Sequence, residues 1–132
     1  MDDPVYASFE QMTEVAGEDL NDRIYERYFE LCPDSAQVMM HTDEHMRGRM
    51  LEEVFRLLLN AEPSTETEYL AFEVDNHRAY GAKQHMYRNV LESVRDVVSQ
   101  ELGSAWTSTL AAAWQARLDA LAGIIEAADR PA

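Results

Sequence analysis

The chain has 132 residues, 46% of them hydrophobic, with 25 acidic against 11 basic side chains and a formal net charge of −14. That length suits a single domain over 1–132 that builds a core without staples, and that charge repels phosphate backbones and anionic lipid headgroups, which argues against nucleic-acid and membrane-surface roles. The one cysteine, Cys32, excludes an intramolecular disulfide, and no apolar run nears the roughly 18 residues that span a bilayer. Met1-Asp2-Asp3-Pro4 lacks the basic and then apolar pattern of a secretory signal. A reducing cytoplasm is therefore the expected location, and Cys32, in an apolar stretch, reads as packing.

Only five glycines and four prolines punctuate a chain rich in good helix formers, so the elements should be long and helical. The first helix is predicted from Val5 to Ala16, with Phe9, Met12 and Val15 or Ala16 on its stripe and Gly17 ending it. The second runs from about Glu18 to Leu31 on Leu20, Ile24, Tyr28 and Leu31. Pro33 stops it and opens a short helical turn through Met39. Thr42 or Asp43 caps a long helix to about Asn60, whose stripe is Met46, Met50, Val54 and Leu57, with Leu51 and Leu58 alongside. After a break at Ala61-Glu62-Pro63-Ser64, Thr65 and Glu68 have the spacing of a capping box. The helix that follows carries Leu70, Val74 and His77 on one face and ends near Gly81. Another spans Gln84 to Leu102, Gly103 breaks it, and Thr107 caps the last, with Leu110, Trp114, Leu118, Leu121 and Ile125 on its stripe. No segment alternates with period two, so the fold class is all-α.

The titratable candidates for chemistry are His41, His45, His77 and His85. HExxH, CxxC, GxGxxG, GxSxG and Walker A patterns do not occur, so zinc-protease, redox-thiol, dinucleotide, serine-hydrolase and P-loop readings lack support. Di-iron ExxH repeats are missing too, and Glu44-His45 has the wrong spacing for one. His77 stands apart because its helix face is apolar and a glycine, Gly81, follows one turn later. Taken alone, a histidine in that setting is more often a half-buried core residue bonded to a carbonyl than a ligand.

Its surroundings favour the ligand. The stretch His77-Arg78-Ala79-Tyr80-Gly81-Ala82-Lys83-Gln84-His85-Met86-Tyr87 resembles the globin family, particularly bacterial single-domain globins and the globin part of flavohaemoglobins. In that family the proximal histidine precedes a glycine by one turn and a tyrosine by about three turns; Gly81 and Tyr87 stand at those places. Ile24-Tyr25-Glu26-Arg27-Tyr28-Phe29-Glu30-Leu31-Cys32-Pro33 resembles the second globin helix and its following proline. The break Leu102-Gly103 and the pair Ala113-Trp114 fit the last two helices.

The resemblance implies a globin fold over nearly the whole chain, haem as cofactor and His77 as the iron ligand. It further implies a pocket walled by Val74, Tyr87, Val90 and Leu121, closed by Met50 or Leu51 with Val54 on the same long helix. Tyr25 matches a tyrosine that many bacterial globins use to donate a hydrogen bond to the gas. Met46, Arg47, Arg49 or Met50 are the alternatives for the ligand-facing position of that helix. Arg47 or Arg49 is a candidate partner for a haem propionate, as is His85, and His41 and His45 are expected to be solvated. Two residues depart from the family pattern. Met39 stands where a phenylalanine normally packs on haem, and Glu73 occupies a usually apolar position one turn before the histidine. The implied function is reversible binding of a diatomic gas (oxygen, nitric oxide or carbon monoxide). Nitric oxide dioxygenation is conceivable only with a separate reductase. A sensor or interaction module with weakened or lost haem binding is the alternative, and the last two helices are amphipathic enough for a homodimer face.

Overall fold

A computed structural model describes residues 3–129; the ends of the expected domain span, 1–2 and 130–132, lie outside the described residues. Among the described residues the chain forms seven α-helices, two 3₁₀ turns and no strand. The helices are α1 (Pro4–Val15), α2 (Leu20–Leu31), α3 (Pro33–Val38), α4 (Glu44–Leu59), α5 (Thr67–Arg78), α6 (Gln84–Leu102) and α7 (Ser108–Ala128). The all-α expectation holds, and the order and number of predicted helices agree with it.

The caps follow from side-chain chemistry. Asp3, Asp43 and Thr107 each accept a backbone N–H at the start of α1, α4 and α7, satisfying donors that the helix leaves open. Pro4 and Pro33 sit in first turns, where no N–H is required. Gly81 and Gly103 have φ of 91° and 53°, conformations in which a Cβ would be strained, and they end the segments of α5 and α6. The Thr65–Glu68 capping box does not form. Residues Pro63–Glu66 are a 3₁₀ turn instead, in which Thr65 donates to the Glu62 carbonyl and α5 begins at Thr67. The proline-led turn tightens the chain there, which moves the N-cap one residue on, from Thr65 to Glu66.

One apolar cluster draws on every helix, with Met12, Ile24, Leu58, Val94, Val98, Trp114, Leu118 and Leu121 among its fully buried members. α6 packs on α2, α7 and α1, while α7 also receives α1, α4 and α5. Ion pairs fasten these contacts at the surface: Arg23–Glu101 and Arg27–Asp96 between α2 and α6, and Arg88–Asp119 between α6 and α7, all at 2.9 Å. Trp114 donates its indole N–H to the Ser8 hydroxyl at 2.9 Å, so the largest buried side chain has its one polar atom satisfied. Arg117 reaches from α7 to the Leu58 carbonyl and to Asp3, tying the end of α4 to the cap of α1.

The predicted stripe of α4 holds at Leu57, and at Leu51 and Leu58 alongside, but not toward its start. Met46 is exposed and Met50 and Val54 are half-buried, whereas Leu51, Leu57 and Leu58 enter the core and Phe55 packs on Phe9 with ring centroids 4.9 Å apart. Two overlapping apolar rows occupy this helix, and α1 and α7 select the row that begins at Leu51. Val15 is likewise exposed, leaving Val5, Phe9 and Met12 to carry the face of α1.

Candidate functional site

α5 brings His77 to the edge of the core. Leu70 and Val74 on the same face are buried, and His77, one turn later, is half-exposed, with 38% of its side chain open. Its Nδ1 lies 2.7 Å from the Glu73 carbonyl oxygen, a separation at which the ring donates from Nδ1. That bond places a proton on Nδ1, so in the neutral ring the lone pair is on Nε2. A purely structural histidine makes the same carbonyl bond. An available Nε2 on a partly open ring is the feature that a metal ligand needs in addition. Glu73, the residue that departs from the family pattern, acts here through its backbone, while its carboxylate stands 3.4 Å from Nδ1 at the rim.

The Tyr87 ring meets His77 edge-on, with centroids 6.5 Å apart and planes at 74°. Burial pushes the Tyr87 phenol up to about 12, and the Asp129 carboxylate adds to the effect. Asp129 is held by Arg78 at 2.8 Å, so α5, α6 and the end of α7 converge beside the histidine. Val90, one turn along α6 from Tyr87, is half-buried. Met50 and Val54 on α4 are also half-buried, and α4 and α5 each pack on α7 more than on one another. By contrast Met39, Leu51, Val74 and Leu121 are buried in the core. The expected wall residues thus divide into four that are packed away and four that keep apolar surface open.

Tyr25 is buried on α2, but its hydroxyl donates to the Arg47 carbonyl at 2.8 Å. To donate to a gas it would have to leave that bond. Burial raises the phenol to about 12, with the Arg47 charge opposing, so the proton stays in place at neutral pH. Of the four alternatives on α4, Arg47 is the one turned toward this tyrosine. Its guanidinium lies 5.5 Å and 5.4 Å from the ring centres of Tyr25 and Phe29, and it donates to Thr42 and to the Met39 carbonyl. Met46 and Arg49 are exposed, as are His41, His45 and Met40. Outside Tyr25 and Arg47 lies an open depression of about 610 Å³ whose rim carries Glu18, Asp22, Glu26 and Glu44. His77 is not among its walls.

Two clusters escaped the sequence reading. Glu66 is buried at the α4–α5 corner, where it accepts from Arg56 at 2.7 Å and Asn60 at 2.8 Å, and Arg56 lies over the Tyr69 ring. An acidic residue near a helix start is what the macrodipole favours, and nothing local marks it as buried. The second joins Cys32, Asp34 and His85. Cys32-x-Asp34 is visible in the sequence, but His85 arrives from the first turn of α6, and no spacing rule links the two.

No family model matches the chain, and a search of curated proteins finds none that matches.

Proposed function

We propose that this chain is a globin that binds haem through His77 Nε2 and reversibly takes up a diatomic gas. The observation that carries the reading is the histidine itself: Nδ1 committed to the Glu73 carbonyl at 2.7 Å, the ring half-open, and Tyr87 against its edge. An axial imidazole must be oriented by one ring nitrogen and offer the other, and the bond from Nδ1 to the Glu73 carbonyl supplies the orientation. Haem, when bound, supplies the iron whose open coordination position takes the gas. Met50, Val54, Tyr87 and Val90 are half-buried on α4 and α6 and keep some apolar surface that a porphyrin would cover. Tyr25 and Arg47 are the polar pair for the opposite side. Tyr25 would donate to the gas after releasing the Arg47 carbonyl, and Arg47 guards the ring from solvent. Nitric oxide turnover would take its electrons from a separate reductase.

One observation favours a second reading. The Tyr25 hydroxyl is satisfied within the protein, and Leu51, Val74 and Leu121 are already closely packed, which suits a globin-like interaction or sensor module without haem. A haemin titration separates the two. The first reading expects stoichiometric uptake by the wild-type chain, loss of uptake in His77→Gly, and recovery when imidazole is added to that variant. No uptake by the wild-type chain, or uptake indifferent to His77, supports the second.

A further inference from the structure

The junction of α2, α3 and α6 brings a core cysteine together with two surface side chains that the structure places away from His77. Cys32 is both the last cap of α2 and the first of α3, and it is buried. Its thiol donates to Asp34 Oδ1 at 3.0 Å and also touches the Ser35 hydroxyl at 3.1 Å. From the other side His85 Nε2 donates to Asp34 Oδ2 at 3.0 Å. The sulfur, one carboxylate oxygen and the imidazole nitrogen all lie within 4.8 Å of one another.

We propose that Cys32, Asp34 and His85 form a binding site for a divalent zinc-like cation, independent of haem. Two protons now bridge the three groups, one on sulfur and one on Nε2. A cation at their centre would take the place of both. The thiol proton leaves to solvent, and the imidazole keeps its own by shifting it to Nδ1. Thiolate and carboxylate together then balance a charge of +2. Zinc bonds of about 2.0–2.3 Å to nitrogen, oxygen and sulfur set ligand-to-ligand edges of about 3.3–3.8 Å in a tetrahedron, so the two 3.0 Å hydrogen-bonded contacts would open a little and the wider separation, within 4.8 Å, would close. The side chains that must move are the open ones: Asp34 is 47% and His85 51% exposed, while the buried cysteine anchors the site. The cluster lies on the surface of an acidic molecule, which concentrates cations around it. The thiolate selects zinc over magnesium or calcium, and the three protein ligands leave a fourth position to water or an outside ligand.

Zinc uptake by the untagged full chain, measured by equilibrium dialysis and metal analysis, tests the assignment, with zinc-edge X-ray absorption to identify the donors. One equivalent should bind with a single sulfur at about 2.3 Å. Because His85 and Asp34 are exposed, His85→Gln and Asp34→Asn retain the fold, and each should weaken binding by more than the ~10–100-fold typical of losing an outer-shell partner. Zinc should also raise the melting temperature of the wild-type chain and leave that of His85→Gln unchanged, since the metal joins segments 51 residues apart. Absence of uptake, a bound zinc without sulfur, or unchanged affinity in His85→Gln would each overturn the site. None of these outcomes depends on haem content.

Discussion

Where α1 meets α7, Trp114 is fully buried and its N–H is satisfied by Ser8; where α5 meets α6, His77 and Tyr87 touch only by their edges and keep part of their rings open. The first contact is filled at the density of an interior and stabilises the fold. The second leaves a titratable nitrogen and several apolar side chains available to something outside the chain. Neighbouring helices of one small protein thus differ, one contact sealed within the core and the other partly open at the surface.

The largest effect is expected at the sealed contact. Trp114→Ala should cost about 3–5 kcal/mol, measured by urea unfolding, because it opens a cavity and strips Ser8 of its donor. Glu66→Ala should cost about 1–3 kcal/mol, since Arg56 and Asn60 lose a buried acceptor. The Arg56 guanidinium holds the Glu66 carboxyl below its usual value. Its stabilisation is therefore complete above the ordinary carboxylate pKa of about 4.3 and is lost as pH falls through the lowered folded value. Between those two values the stability of Glu66→Gln should depend less on pH than that of the wild-type chain, and an equal slope would remove Glu66 from the account. Tyr25→Phe should cost about 1 kcal/mol through the lost bond to the Arg47 carbonyl. On the haem reading it should also speed oxygen release; an unchanged off-rate would confine Tyr25 to structure.

The smallest stability effect is expected at half-buried positions of α4. Met50→Ala and Val54→Ala should each cost under about 1 kcal/mol, and on the haem reading both should also speed haemin loss to an acceptor protein. If they instead destabilise the chain as much as Trp114→Ala, these positions are core and the contrast disappears.

Periodicity and caps made the helices legible: Asp43, Thr107, Pro33 and Gly103 stand at or beside the boundaries they predict. The register of α4 was not legible, because Met46-Met50-Val54 and Leu51-Phe55-Leu58 are rival stripes in one sequence and only packing on α1 and α7 decides between them. His77 was singled out by its apolar helix face and Tyr87 by the resemblance, and the two rings do meet in space. The partners of Tyr25, Glu66 and Cys32 come from distant segments or from the backbone, and side-chain identity alone does not announce them. Hydrophobic patterning reports faces, while polar networks depend on the tertiary approach of helices.

The central claim is an axial bond from His77, and an absorption spectrum of the reduced protein, taken with and without carbon monoxide, tests it most directly. The account predicts a strong Soret band that moves when the gas is added and that is lost or displaced in His77→Ala. A colourless chain that stays colourless in added haemin, or a gas-sensitive band identical in His77→Ala, would contradict it.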